Sequence, residues 1–124
     1  MEVPVVFEYG YHGSPAVLAT LAKIEASEKD EEFRVVEVFI DITDALRRPV
    51  EVPLSVALPI DGALTDDLRG YSFTVRGNQT WEVFYWINTS VKYVFCVYLA
   101  RPRDGGNLLA ARSSRTLFEQ HYHP

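Results

Sequence analysis

Three segments rich in aromatic and β-branched residues, separated by two short polar turns, limit what this chain can fold into. Nine of the aromatic residues lie between Tyr71 and Tyr98. Turn-forming residues separate the three segments, which is the pattern of strands joined by hairpins. The sequence therefore predicts an antiparallel three-stranded meander over residues 71–99. Its strands are 71–76, 81–87 and 91–99, and its turns are Gly77-Asn78 and Asn88-Thr89-Ser90.

Both faces of the predicted meander carry apolar side chains. In the second strand Tyr85 belongs to one face, while Phe84 and Trp86 belong to the other. A three-residue turn aligns Phe84 with Val94, and Tyr85 with Tyr93, across the second hairpin. Antiparallel sheets commonly leave one face in water, so something must cover the second face of this sheet.

Two arrangements are open for that second face. In one, a helix of this chain covers each face. In the other, both helices pack on one side and the aromatic face contacts another molecule, since large exposed apolar patches mark interfaces. We expect the second arrangement, in which replacing Trp86 by Asp leaves folded protein of lower mass. The residues predicted to form this interface are Phe84, Trp86, Val94 and Tyr98.

Two helices are predicted outside the meander. Ser14 followed by Pro15 indicates a helix start, because serine caps the first turn and proline suits the first helical position. Apolar residues then recur at helical spacing, which predicts a helix over residues 14–26. A C-terminal helix is predicted over residues 108–120.

The segment 33–42 fits two kinds of secondary structure. With a period of two, its valine and isoleucine residues from 36 to 42 share one face of a strand. With a helical period, a different set forms an apolar stripe. Because β-branched side chains favour strands, we predict a strand, with the helix as the alternative. The helical stripe consists of Val35, Phe39, Ile42 and Leu46.

Shorter segments complete the predicted fold. Residues 3–9 are predicted to form a strand, and residues 50–58, which prolines punctuate, an edge strand or an extended loop. The elements together predict one α+β domain spanning residues 1–124. In this fold an antiparallel sheet centred on the meander packs with the N-terminal and the C-terminal helix.

Cysteine usage and hydropathy indicate where such a domain works. Cys96 is the single cysteine, which excludes an intramolecular disulfide and suits a reducing compartment. The N-terminus lacks the pattern of a secretory signal, and no apolar run is long enough to span a membrane. We therefore expect a cytoplasmic protein with no membrane partner.

Charge divides the chain into two halves of opposite sign. Residues 1–67 carry five basic and fourteen acidic side chains, whereas residues 68–124 carry seven basic and three acidic ones. The halves therefore have net charges of −9 and +4, which sum to the −5 of the whole chain. If the halves are also separated in space, the acidic half favours a basic partner and the basic half an anion.

Few residues form a recognisable chemical site. His12 precedes the first helix, and His121 and His123 lie near the C-terminus, without the ligand neighbours that a metal site needs. Cys96 lies in an apolar strand and is interpreted as a small buried side chain, not as a nucleophile. We therefore expect neither a metal nor another cofactor.

Arginine residues are the remaining candidates for chemistry, because a guanidinium group donates two parallel hydrogen bonds to a phosphate. Arg76 follows the first meander strand, and Arg101 and Arg103 follow the third. We expect Arg76 at the end of the sheet opposite to Arg101 and Arg103. An oligomer that binds a small anion or a nucleotide through arginines is one hypothesis.

The C-terminal half resembles the RelE/ParE superfamily of small ribonuclease and gyrase toxins. The resemblance implies a strand, two helices and a three-stranded meander in that order, with a helix over residues 33–42. It also implies cleavage of mRNA on the ribosome by Arg76, Arg101 and Arg103, and neutralisation by an antitoxin. Glu82 stands where the family commonly has arginine. The residues that carry the resemblance are Leu68-Arg69-Gly70-Tyr71, Val75-Arg76-Gly77-Asn78 and Trp81-Glu82-Val83-Phe84-Tyr85, with the strand to Leu99 after them.

The residues alone favour a different function from the resemblance. A surplus of apolar sheet surface without a catalytic constellation predicts a non-enzymatic binding protein of the inhibitor, immunity or accessory kind. Such a protein associates with itself, or with another protein, through its aromatic sheet face and selects partners by its acidic half. The alternatives are a RelE-like endoribonuclease and the small-anion-binding oligomer.

Overall fold

A computed structural model of the protein describes residues 9–27, 30–48, 58–59, 68–75, 79–102 and 106–116. Five strands and three helices lie in these ranges. The strands are β1 (Gly10–Gly13), β2 (Leu58–Pro59), β3 (Leu68–Val75), β4 (Gln79–Asn88) and β5 (Tyr93–Ala100). The helices are α1 (Pro15–Ser27), α2 (Asp30–Arg47) and α3 (Gly106–Ser113).

The strands form one sheet in the order β1-β5-β4-β3-β2. Antiparallel pairing of β3, β4 and β5 confirms the predicted meander, and the α+β class is confirmed with it. The sheet is mixed, however, because β1 pairs with β5 in parallel. Parallel neighbours need a crossover connection, and α1 and α2 lie within the long crossover here. The sequence prediction of an antiparallel sheet was therefore incomplete at this edge.

The second hairpin differs from its predicted register. Its turn has four residues, 89–92, and the Asn88 side-chain oxygen accepts hydrogen bonds from the Ser90 and Val91 amides. Lys92 closes the turn with a φ of 57°. Asn88 consequently pairs with Tyr93.

The longer turn moves every cross-strand pair of that hairpin. Tyr85 lies opposite Cys96, and a bulge between Phe84 and Tyr85 brings Phe84 opposite Tyr98. The predicted pairs of Phe84 with Val94 and of Tyr85 with Tyr93 are therefore wrong.

Residues 33–42 form the middle of α2, so the strand predicted there is wrong and the helical alternative is right. Val35, Phe39 and Ile42 are buried against the sheet, as a helical stripe requires, whereas Ile40 is half exposed. The β-branched preference for strands spans only about 1 kcal/mol. Burying one large aliphatic side chain contributes about 1.5–3 kcal/mol, so the packing of the stripe outweighs local propensity.

The N-terminal helix begins as predicted. Ser14 precedes α1, and its side-chain oxygen accepts a hydrogen bond from the Val17 amide at 3.2 Å. The same hydroxyl donates to the Val97 carbonyl at 2.8 Å, which ties the start of α1 to β5. The helix predicted over 108–120 begins two residues earlier, at Gly106.

Helices cover both faces of the sheet. On one face, α1 and α2 pack on the meander in a cluster that we call the α1–α2 cluster. On the other face, α3 packs on a smaller cluster that we call the α3 cluster. The α1–α2 cluster contains Val17, Ile24, Val35, Val38, Phe39, Ile42, Phe73, Val75, Trp81, Val83, Tyr85, Ile87, Val94, Cys96 and Leu99. The α3 cluster contains Leu68, Phe84, Trp86, Phe95, Val97 and Ala111.

Some predicted elements lie outside the described residues. Residues 3–8 of the predicted first strand and residues 50–57 of the predicted edge segment are among them. Leu58–Pro59, at the end of that segment, pairs with β3 as the edge strand β2. Among the described helices, none combines the length and the apolar character that crossing a bilayer requires.

Candidate functional site

The aromatic face that the sequence predicts as an interface lies beneath α3. Phe84 is fully buried and Trp86 is 4% exposed. The Trp86 indole N–H donates to the Ala111 carbonyl at 3.1 Å and to the Ser114 hydroxyl at 3.0 Å. These contacts attach α3 to the sheet, so within one chain the helix occupies the surface that a partner was expected to cover.

The four predicted interface residues do not share one face. Val94 is fully buried in the α1–α2 cluster, on the side opposite to Phe84 and Trp86. Tyr98 packs at the margin of the α3 cluster and is partly buried. Regular alternation along β5 would put Val94 and Tyr98 on the same face of the sheet. The bulge in the β4–β5 pairing interrupts this alternation between Cys96 and Tyr98, so Tyr98 lies on the other face.

The last residues of strands β3 and β5 lie at the same end of the sheet. Val75 pairs with Gln79 at the start of β4, and Ala100, the last residue of β5, pairs with Glu82 nearby. Both strands are antiparallel to β4 and flank it, and their last residues are offset by three residues along it, so these residues lie about 14 Å apart. We call this end of the sheet the arginine end, because Arg76 directly follows Val75 and Arg101 directly follows Ala100.

This topology corrects one sequence expectation. Arg76 was expected at the opposite end of the sheet from Arg101 and Arg103. In a three-stranded meander the first and third strands run in the same direction, so the residues that follow them leave at one end. Arg76 and Arg103 themselves lie outside the described residues, and Arg101 is exposed.

Arg101 and Arg115 each lie over a tryptophan ring, on opposite faces of the sheet. The Arg101 guanidinium carbon is 5.9 Å from the ring centre of Trp81, in the α1–α2 cluster. The corresponding distance from Arg115 to Trp86, in the α3 cluster, is 5.4 Å. Cation–π contacts of this kind contribute about 0.5–1 kcal/mol at exposed sites. The two guanidinium groups therefore belong to separate surfaces of one chain.

Asn107 holds the arginine end together. Its side chain is fully buried, and its amide N–H groups donate to a Glu82 carboxylate oxygen at 2.9 Å and to the Arg101 carbonyl at 2.7 Å. The first turn of α3 is thereby fixed to β4 and to the end of β5. Sequence reasoning missed Asn107, because Asp104-Gly105-Gly106 was interpreted only as a turn. An asparagine directly after that turn, at a helix start, was the available signal.

A polar group of titratable residues lies inside the α1–α2 cluster. The Tyr85 hydroxyl is 2.8 Å from the Thr43 hydroxyl, and both residues are buried. Burial raises the pKa of Tyr85 and of the Cys96 thiol well above their ordinary values. Cys96 therefore stays a thiol at neutral pH and is buried, which confirms its interpretation as a small core side chain.

The histidines bring no metal site together in the described structure. His12 lies in β1, with its ring stacked on Phe95 at a centroid distance of 5.5 Å and an interplanar angle of 6°. His121 and His123 lie outside the described residues. Within the ranges that the structure covers, no three histidine, cysteine or carboxylate side chains are grouped to hold a metal ion.

The outward sides of α1 and α2 carry carboxylates around exposed apolar residues. Leu18 is 57% exposed and Ile40 is 49% exposed. The Arg34 guanidinium contacts the Glu37 carboxylate at 2.7 Å, and both side chains are largely in solvent, so the pair contributes little to stability. Among the helix side chains that the structure describes, the exposed carboxylates are those of Glu25, Glu37, Asp41 and Asp44.

Comparison with known proteins adds no relative to this geometry. The chain matches no protein-family profile and no curated protein sequence.

Proposed function

We propose that the protein is a RelE/ParE-like endoribonuclease that cleaves mRNA, with Arg101 and its neighbours at the arginine end of the sheet contacting the phosphate backbone. The observation that carries this proposal is that β3 and β5 end at the same end of the sheet. Arg76 and Arg101 directly follow these two strands in the sequence. The resemblance assigns cleavage to these arginines, together with Arg103.

The order of elements gives the proposal further support. A strand, two helices and a three-stranded meander follow one another along the described chain, with the short edge strand β2 before the meander. This is the order that the resemblance implies, and it requires the helix found at residues 33–42. Glu82, at a position where the family commonly has arginine, accepts a hydrogen bond from Asn107. In this chain Glu82 therefore has a role in positioning the start of α3.

The arginines have a defined chemical task in such a reaction. Negative charge builds up on the scissile phosphate as the attacking oxygen adds to phosphorus, and a guanidinium group stabilises that charge through paired hydrogen bonds. Arg101 is exposed at the end of β5, and the ring of Trp81 supports its side chain from one side. The N-terminus of α3, which also lies at the arginine end, adds partial positive charge.

The test is incubation of the purified protein with mRNA, with and without translating ribosomes, followed by mapping of the cleavage sites. We expect site-specific cleavage that the combined Arg76→Ala, Arg101→Ala and Arg103→Ala variant loses. Loss of a single group that stabilises transition-state charge costs about 10²–10³ in rate, and we expect that range for Arg101→Ala alone.

Arg34→Ala is the matched control, because Arg34 is also exposed but belongs to α2, where its guanidinium is paired with Glu37. It removes the same charge and should leave the cleavage rate unchanged. Intact mRNA under both conditions would contradict the proposal, as would equal losses in Arg34→Ala and Arg101→Ala. Far-ultraviolet circular dichroism of each variant separates lost chemistry from lost folding.

A second candidate is the partner-binding role predicted from the residues. The exposed carboxylates of α1 and α2, around Leu18 and Ile40, favour it. Its surface differs from the predicted one, because α3 covers Phe84 and Trp86 within the chain. The two candidates give different results in one experiment. A purely partner-binding protein leaves mRNA intact on the ribosome, whereas a ribonuclease does not.

A further inference from the structure

The outward side of α2 is an acidic surface with an apolar centre. Ile40 is 49% exposed, and Glu37 and Asp44 lie three residues before it and four residues after it, on the same side of the helix. Asp41 lies four residues after Glu37 and three before Asp44, so its carboxylate borders the same side. We call these four residues the acidic helix face. An aliphatic side chain among three carboxylates suits a partner surface that is apolar at its centre and basic around it.

The outward side of α3 has the complementary composition. Leu109 is 68% exposed, more than any other large apolar side chain of the described residues. Arg112 lies three residues further along the helix and is exposed. Arg115 follows the end of α3 and lies over the Trp86 ring, so it is not part of this side. We call Leu109 and Arg112 the basic helix face. Each of the two faces therefore centres on one exposed aliphatic residue, and their charges are opposite.

The two faces point away from each other in one chain. The acidic helix face lies on α2, which packs on one side of the sheet through the α1–α2 cluster. The basic helix face lies on α3, which packs on the other side through the α3 cluster. A chain cannot bring its own two faces together, whereas two copies can do so without any change of fold.

We propose that the acidic helix face of one copy binds the basic helix face of a second copy. The contact is head to tail, because unlike surfaces meet, and it leaves one face of each kind free to bind a further copy. A contact between two acidic faces would oppose like charges and is excluded by the same complementarity. This association uses surfaces other than the arginine end, so its test is independent of the test of mRNA cleavage.

The association is tested by analytical ultracentrifugation of the full chain over a range of protein concentrations. At low ionic strength we expect the average mass to rise to twice that of one chain or more. In about 0.5 M salt we expect it to return to that of one chain, because exposed charge pairs are screened there. A single-chain mass at every concentration and at low salt would overturn the proposal.

Charge-reversal variants identify the surfaces. Asp41→Arg with Asp44→Arg reverses the acidic helix face, and Arg112→Glu reverses the basic one. Each variant alone should remain at the mass of one chain at low salt. A mixture of the two should regain the higher mass, because each reversed face then meets a face of opposite sign. Lys92→Glu, in the β4–β5 turn, makes the same charge change as Arg112→Glu and should keep the association.

Two further outcomes would reject this interface. Association that persists in both charge-reversal variants would place the contact on another surface. A mixture that stays at the mass of one chain, with both variants folded by circular dichroism, would show that the two faces do not pair.

Discussion

Cys96 links the stability of the fold to pH, because its thiol lies fully buried beside Tyr85. Burial raises the pKa of this thiol above its ordinary value of 9.0. Below pH 9 the thiol is protonated in the folded and the unfolded chain, so its contribution to stability is complete. Above pH 9 the unfolded chain releases the proton first, and folding is disfavoured increasingly as the pH rises.

We therefore expect the free energy of unfolding to fall by about 1.4 kcal/mol for each pH unit above 9 on account of Cys96. Urea unfolding with a reductant at pH 7.5, 9 and 10 measures this slope. Fully buried Tyr85 and partly buried Tyr11 add to it only above pH 10, since burial raises their pKa values as well. Cys96→Ala should remove the decline between pH 9 and 10, and an unchanged decline would refute the assignment.

Single residues differ in how much of their role the sequence discloses. The cap at Ser14 was predictable, because serine before proline at a helix start is a local signal. The second hydrogen bond of Ser14, to the Val97 carbonyl 83 residues away, has no local signal. Asn107 is similar, since its partners Glu82 and Arg101 come from other elements. Contacts that depend on tertiary placement leave no pattern in a short window of sequence.

At the scale of elements, the attachment of α3 depends on Trp86. Trp86→Phe keeps an aromatic ring on the sheet but removes the N–H that donates to Ala111 and Ser114. We expect it to lower the free energy of unfolding by about 1–3 kcal/mol. Trp86→Asp should unfold the protein, because it buries an unpaired charge.

Circular dichroism and urea unfolding of both Trp86 variants decide between two arrangements of the aromatic face. A Trp86→Asp variant that is folded and of lower mass than the natural chain would revive the interface predicted from the sequence. An unfolded Trp86→Asp together with a folded, weakened Trp86→Phe agrees with the α3 cluster as an internal core.

The β4–β5 turn contains a second testable feature. Lys92 adopts a left-handed backbone conformation, with φ of 57°, which glycine tolerates better than residues with a Cβ atom. Lys92→Gly should raise the free energy of unfolding by about 0.5–1 kcal/mol. Thr89→Gly, in the same turn but without a positive φ, should lower it. Equal effects in the two variants would exclude backbone strain at Lys92.

The elements were predictable where their pattern had one interpretation. The meander and α1 satisfy strand and helix signals respectively, and both are confirmed. Residues 33–42 satisfied both patterns, and propensity favoured the wrong one. Which pattern prevails depends on the sheet surface that Val35, Phe39 and Ile42 bury against, and no short window contains that information.

For the whole molecule, the class of fold was predictable but the arrangement of its layers was not. The sequence left open whether helices cover one or both faces of the sheet, and α3 decides this by packing on Trp86. That choice hides the aromatic face and leaves opposite charges on opposite sides. Val75 and Ala100, which precede Arg76 and Arg101, lie at the same end of the sheet because β3 and β5 run in the same direction. The predicted meander already required this arrangement, although we expected Arg76 and Arg101 at opposite ends of the sheet.

The parallel pairing of β1 with β5 also determines when the sheet can be completed during synthesis. Ser14 emerges from the ribosome 83 residues ahead of Val97, whose carbonyl its hydroxyl contacts. Until Tyr93–Ala100 has followed, β1 lacks its neighbour, and Val17 and Ile24 of α1 lack the β5 side chains that bury them. Pairing between distant segments slows folding and leaves apolar surface exposed meanwhile. Burial of the apolar side of α1 therefore depends on β5. A chain that stalls or ends before β5 would expose that apolar surface and be prone to aggregate.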